Sequence, residues 1–364
     1  MKYIFPVLLI LHGAIHLMGF AKAFNYAAIE NIHSTISKPV GLLWLLACAL
    51  FVAAGIALLA KADWWHFIAF AAVLLSTVLI INIWNDAKFG TIVNIIILAA
   101  AITGYATANY YNWYQKEVQA GLSQTAALPV SVLTEQDIAF LPEPVKNYIR
   151  YTGSVGKPKV ENFKLEFTGQ IRQDEKSAWM PFITEQYNFI NTSTRLFFMK
   201  AVMKGLPVAG FHSFKNGDAF MDIRLLSLFK VQYQAGKEMG IAETVTFFND
   251  MCCMAPATLI DKRITWLESD SSKVKAEFTN NGITVSAWLW FNEKGELYNF
   301  ISDDRFAAGK NGSMKRIRWS TPMKNYREIN GYKLASVAEA IYSYPEGDLC
   351  YGTFTLKQIK YNCK

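Results

Sequence analysis

The chain has 364 residues, 52% of them hydrophobic and 18% charged, with a mean hydropathy of +0.16. That length allows two domains, and the apolar surplus is high for a purely soluble protein. The net charge of +7 comes from Lys and Arg that are scattered rather than run together, which argues against nucleic acid and suits a membrane surface.

The surplus is concentrated in residues 1–112. Four segments, at 3–21, 40–60, 64–84 and 91–111, have about the length needed to cross a hydrocarbon layer of roughly 30 Å. Lys2 ahead of an apolar run resembles a signal peptide, but three more spans follow, so the first is expected to be a retained helix. Four spans put both ends of the chain on one side. Lys2, Lys61 and Lys116 flank that side and Lys22, Lys38 and Lys88 the other, so charge does not orient the bundle.

Within the first span, "LLILHGAIHLMGF" places His12 and His16 four apart, on a helix face continued by Gly19 and Ala23. Asn82 and Asp86 are likewise four apart at the end of the third span, at a depth that permits a His16–Asp86 contact. His12, His16, Asn82 and Asp86 are therefore expected to form an intramembrane polar cluster. Three roles fit it: helix packing, a metal or haem site, and a proton or small-molecule path. Gly13 after His12 excludes the zinc-protease pattern, and the cofactor and any metal stay open.

"NYYNWYQKEV" suits the headgroup layer, and residues 121–133 have a linker's composition. The expected domains are 1–114 (four transmembrane helices), 115–133 (linker) and 134–364 (a β-rich domain). Thr134 with Asp137 predicts a capped helix start, and Gly153 a helix stop after "VKNYIRYTG". From about 160 the period becomes two. "FKLEFTGQI" sets Phe163, Leu165 and Phe167 on one face, and about ten such segments follow, punctuated by turns such as "KNGD" and "NEKG". Residues 238–260 break the rhythm and read as helix. The fold class is thus an α-helical membrane bundle plus a mostly antiparallel β domain with a curled, half-barrel-like sheet and a few helices.

In the β domain, "WMPFITEQY", "KNGDAFMDIRL" and "FISDDRF" bring forward Glu185, Asp222, Asp304 and Arg305 as a polar cluster. His212 is the domain's one histidine, which argues against a triad or a three-His zinc site, and no nucleophile-elbow or dinucleotide fingerprint occurs. No catalytic residue is assigned, and the expectation leans away from an enzyme. In "AWLWF" both faces are bulky, as in a strand covered on both sides. Phe163, Leu165, Phe167, Trp179, Trp288 and Trp290 are the candidate lining of an apolar cavity. Cys252, Cys253, Cys350 and Cys363 permit disulfides without fixing any.

The order "LPEPVKNYIRYTGSVGKP", "AWMPFITEQY", "GLPVAGFHSFKNG", "FFNDMCCMAPATLID", "ITWLESD" and "FISDDRF" resembles an uncharacterised bacterial family of domains of unknown function. "LHGAIHLMGFAKAF" and "WNDAKFGTIVNIIIL" look like the membrane region ahead of that domain in some members. The strand order is also similar to the half-barrels of periplasmic lipoprotein carriers, which hold acyl chains against a curved sheet. The resemblance implies a bacterial inner-membrane protein with its β domain on the extracytoplasmic side. The leading functional expectation is a membrane-anchored binding protein whose partners are membrane lipid and an apolar small-molecule ligand. The alternatives are a redox or transport unit built on His12, His16 and Asp86, and an envelope scaffold for a protein partner.

Overall fold

The computed structural model describes residues 3–129, 131–309 and 312–364. It divides into two compact units, one ending at Tyr110 and the other running from Tyr111 to Lys364.

The first unit is helical: α1 (Ile4–Ile15), α2 (Leu17–Ala23), α3 (Lys38–Leu59), α4 (Trp65–Asn82), the short α5 (Trp84–Ala87), and α6 (Gly90–Thr125) as far as Tyr110. Among the described residues, four stretches are helical, long and apolar enough to cross a membrane: Ile4–Ala23, Lys38–Leu59, Trp65–Asn82 and Gly90–Thr125. Small residues set the approach of α2 to α3. A Cβ on Gly19 would stand 2.3 Å from the Trp44 ring, and one on Gly41 2.3 Å from Ala23 Cβ. Backbones this close gain dispersion contacts that larger residues would forbid.

The second unit begins with the rest of α6. The expected linker from 115 is therefore corrected: residues up to Thr125 are helix, because Tyr114, Val118 and Leu122 supply one apolar face that is buried. Two short helices follow, α7 (Glu135–Ile138) and α8 (Glu143–Tyr151). The α7 start is a reciprocal capping box. The Asp137 N–H donates to Thr134 Oγ1 and the Thr134 N–H to Asp137 Oδ2, so aspartate does the work usual for Glu or Gln. Gly153, at φ +70°, ends α8 in the left-handed region that glycine adopts without a Cβ penalty.

The N-terminal half of the sheet is β1 (Asn162–Ile171), β2 (Met180–Phe189), β3 (Thr194–Met203), β4 (Leu206–Lys215), β5 (Asp218–Leu225) and β6 (Phe229–Ala235). Helix α9 (Lys237–Met254) and a 3-10 turn (Pro256–Ile260) come next. The other half is β7 (Ile264–Ser269), β8 (Lys273–Asn280), β9 (Ile283–Phe291), β10 (Leu297–Ser302), β11 (Phe306–Ala308), β12 (Met314–Arg316), β13 (Arg318–Ser320), β14 (Met323–Ile329), β15 (Tyr332–Tyr344) and β16 (Gly347–Tyr361). The strand order is β6-β5-β4-β3-β2-β1-β16-β15-β13-β10-β9-β8-β7, with β14 also on β15 and β11–β12 as a separate hairpin. All pairings are antiparallel, and β6 and β7 are left as edges, so the sheet is open.

The sheet curls around α9. That helix packs on β4, β5 and β6 at one flank and on β9, β10 and β15 at the other. From Met239 to Met254 every residue but Ile241 is buried, which is the pattern of a helix enclosed on all sides. Its phenylalanines make the core. Phe248 stacks on Phe278 at 5.4 Å and meets Phe300 edge-on, while Phe247 lies against Phe214. On the outer face of β1–β5 lies the second half of α6, with Tyr114 against Phe198 and Phe211 and Trp113 stacked on Phe220.

Candidate functional site

In the helical unit His12 and His16 are both almost fully buried, at 3% and 2% exposure. The His16 Nδ1 lies 2.8 Å from the His12 carbonyl, which can only accept, so Nδ1 carries the proton. Its Nε2 then accepts from Ser76 Oγ at 2.8 Å. Ser76 Oγ in turn accepts from Asn94 Nδ2 at 3.0 Å, and Asn94 Oδ1 accepts from His12 Nε2 at 2.9 Å. The four side chains therefore form a closed, one-directional ring of neutral groups linking the first helix, α4 and α6. Thr77, 3.2 Å from Asn94 Nδ2, takes up the amide's other proton. The same His16 bond explains the hitch between α1 and α2: the His16 N–H turns to Gly13 O.

The expected cluster is corrected in its membership. Asn82 is exposed and folds back on the Val78 carbonyl, and Asp86 accepts from the Ser34 N–H at 2.9 Å. The reason is local: Ile83, at φ −127° and ψ 47°, ends α4 and turns Asp86 onto the separate α5. Ser76 and Asn94 take their places. Neither has a second polar side chain four residues away, the spacing that singles out His12 with His16 and Asn82 with Asp86. Three of the four imidazole nitrogens are engaged by protein groups, an arrangement that supports packing. Among the described residues no group of three His, Cys, Asp or Glu is placed to hold a metal ion.

In the second unit, cross-strand register lays the concave face out in rows. At the far end of the strands comes Phe163–Asn188–Arg195–Phe214–Ala219, then Leu165–Gln186–Phe197–His212–Met221. Toward the β3–β4 turn follow Phe167–Thr184–Met199–Gly210–Ile223 and Gly169–Phe182–Ala201–Val208–Leu225. The first two rows meet α9 and carry charge. Arg195 Nε donates to Asp250 Oδ2 at 2.8 Å, and its Nη1 to Glu243 Oε2 at 3.1 Å. Gln186 and Asn188 add two donors to the same Asp250 oxygen, at 2.7 and 3.1 Å. Arg305 reaches Glu243 from the other side at 3.6 Å and lies over the Trp319 ring. Its Nε finds no acceptor among the described residues.

Burial works against an ionised Glu243, but Arg195 and Arg305 outweigh it and hold that carboxyl below its usual range. Burial pushes Asp250 up, against the pull of Arg195 and the two amides. Desolvation holds the His212 imidazole down at about 4, with Glu243 opposing and Arg195 and Arg305 adding to the fall. An unfolded histidine titrates near 6.5. His212 therefore favours the native state fully above that pH, and the contribution is lost as pH falls toward 4. Unfolding of the full chain should show stability dropping as pH falls from about 6.5 toward about 4, with a shallower slope in His212→Gln. Equal slopes would remove His212 from the account.

The last two rows carry no charge, and Phe197 of the second row joins their apolar side chains. Phe182, Phe197, Met199, Ala201 and Val208 form a buried cluster that includes no residue of α9. Its margin, Ile171, Met180, Ile223 and Leu225 with Phe167 and Phe354, is only half-buried.

The candidate lining residues divide between the faces. Phe163 and Leu165 lie in the core around α9 with Val285, Ala287, Leu289 and Phe291, and Phe167 joins that core to the second apolar cluster. Trp288 and Trp290 are corrected: they alternate to the outer face of β9, half-buried beneath Lys273 and Lys275. Trp179 precedes β2 under the Arg172 guanidinium, 4.6 Å away. The expected polar cluster is also dispersed. Glu185 faces outward to Lys164, Tyr111 and Gln115, and Asp222 pairs with Arg224 on that side. Asp304 accepts from the Ser286 N–H and hydroxyl, and only Arg305 belongs to the buried group. The five cysteines are free, with Cys252 and Cys253 enclosed in α9.

A helical unit followed by an open antiparallel sheet wound on one internal helix defines the class of this protein. Residues 131–354 match the model of a family of unknown function (DUF6544), and the chain belongs to that family. Among curated proteins none matches. The chain is similar to a LolA superfamily protein from Nitrosomonas europaea, at 10% identity and TM-score 0.32, over 60% of this chain and 93% of that one. It is also similar to a domain from Vibrio parahaemolyticus described as an outer membrane lipoprotein-sorting protein, at 8% identity and TM-score 0.34, over 60% and 91%. A DUF1329 family protein from Desulfovibrio piger gives 11% identity and TM-score 0.30, over 60% and 91%.

Proposed function

We propose that this protein is a membrane-anchored binding protein, its four apolar helices spanning a bilayer and its β domain seating an apolar ligand such as an acyl chain. The observation that carries the reading is the division of the concave face. Helix α9 fills the half that holds Arg195, while among the described residues no residue of α9 joins the apolar cluster around Phe182, Met199, Ala201 and Val208, whose margin is half-exposed. Apolar concave surfaces with a few convergent polar groups are the usual form of a ligand seat. Phe197, two residues on from Arg195 in β3 and a member of that cluster, lies under its guanidinium at 4.9 Å. No covalent chemistry is assigned to it.

Full-length protein purified in detergent should carry a lipid or other apolar molecule recoverable by solvent extraction and mass spectrometry. Leu225→Glu, at the half-exposed margin, should reduce the recovered amount several-fold, since a carboxylate there opposes apolar contact. A preparation that carries no such molecule, or instead shows a Soret band or stoichiometric metal, would sink the reading in favour of the redox alternative.

A further inference from the structure

The turns at one end of β3–β6 are unusually apolar for exposed chain. Val202, Met203, Leu206, Leu228, Phe229 and Val231 are 40% to 61% exposed. They sit on two hairpin tips held by tight turns. Lys204 and Gly205 both have positive φ (50° and 83°), as a two-residue I′ hairpin requires, and Leu226 and Ser227 are left-handed in the β5–β6 turn. The tips are joined to each other by the Leu226 N–H bond to the Pro207 carbonyl. Charge on them has one sign. Residues 196–209 and 223–235 contain Lys200, Lys204, Arg224 and Lys230 and no Asp or Glu, and the three lysines are exposed.

Within this unit α6 runs along the strands, starting at the middle of β3. Tyr111 packs on Phe198 with the Lys200 ammonium 4.3 Å from its ring, whereas Gly121 reaches Phe189 and Thr125 bonds Asn162 at the opposite end of the strands.

We propose that the β3–β4 and β5–β6 tips are a membrane-docking surface, whose leucine, methionine and phenylalanine side chains enter an anionic bilayer while Lys200, Lys204 and Lys230 meet its headgroups. Apolar side chains interspersed with lysine are the composition of segments that lie in the interface. Lysines close to an anionic surface are drawn to its headgroups. The inference stands on the tips alone, whether or not the concave face takes a ligand, so a failure to extract a ligand leaves it intact.

The test uses the full chain in nanodiscs of phosphatidylcholine with phosphatidylglycerol and a diazirine-bearing phospholipid, with adducts mapped by peptide mass spectrometry. Lipid adducts are expected in peptides covering Met203–Leu206 and Leu228–Val231 as well as in the apolar helices. They should fall several-fold in Leu206→Asp with Phe229→Asp, two exposed positions that do not hold the core, while adducts on α3 stay constant. Replacing phosphatidylglycerol by phosphatidylcholine should also lower them. Tip adducts no more frequent than those at Leu267 and Tyr298, exposed apolar residues elsewhere on the unit, would overturn the proposal. So would cross-linking of the tips to a second copy of the chain in place of lipid.

Discussion

Replacing Arg195 by methionine should destabilise the β domain by about 3–5 kcal/mol, the range for removing one partner of a buried ion pair. Arg195 is 7% exposed and answers two carboxylates from one helix, Glu243 and Asp250. Without it, Asp250 keeps only its two amide donors, and Glu243 keeps Arg305 at 3.6 Å. The desolvation already suffered by both acids is then no longer offset. The double change Arg195→Met with Asp250→Asn should recover most of the loss, because it removes a charge together with its partner. Denaturant unfolding of the detergent-solubilised chain, followed by near-ultraviolet circular dichroism, measures both. A loss below about 1 kcal/mol for Arg195→Met would mean that water reaches the cluster, and that the concave face is open at that end.

Phe248→Ala should cost about 3–5 kcal/mol, the toll of emptying a large aromatic site in a close-packed core. Phe248 is fully buried, stacked on Phe278 and edge-on to Phe300, so its removal takes contacts from α9, β8 and β10 together. Trp288→Ala should cost much less although the residue is larger. Trp288 lies on the outer face of β9 beneath Lys273 and Lys275, and exposed cation–π contacts contribute about 0.5–1 kcal/mol. The same unfolding experiment compares them. A Trp288→Ala loss matching that of Phe248→Ala would put β9 in the opposite register and reverse the assignment of its faces.

That contrast also marks where the sequence could be read and where it could not. Alternation in "FKLEFTGQI" and "ITVSAWLWF" identified β1 and β9 and the core face of each, because one face of those strands is buried. The two tryptophans misled: large apolar side chains on the outer face suggested a strand enclosed on both sides, and lysine stems cover them instead. β4 has no clean period of two, since Pro207 and Gly210 interrupt it, yet Pro207 lies next to the strand's start and Gly210 packs against Met199 and Ile223. β14 is largely polar and exposed, so it carries no apolar period to detect. The helix at 238–260 was legible. Its function as the filling of the sheet was not, because its apolar residues go all the way round. One signal was available: Glu243 and Asp250 are seven apart in an apolar helix, hence on one face, and require cationic partners from elsewhere in the chain.

The sheet order has a consequence for the timing of synthesis. β1 pairs with β16, in a register running from Phe163 opposite Tyr361 to Ile171 opposite Gly352. Residues nearly two hundred positions apart thus lie side by side near the middle of the sheet, while β6 and β7, close in sequence, form its margins. On the ribosome β1 to β6 can zip as successive hairpins as they emerge, but the free edge of β1 has no neighbour until residue 361 has left the exit tunnel. Pairings of such sequence separation form slowly, and an unpaired edge invites the wrong strand in the interval. The fifteen residues of β16, paired with β1 on one side and β15 on the other, are those that join the two halves of the sheet.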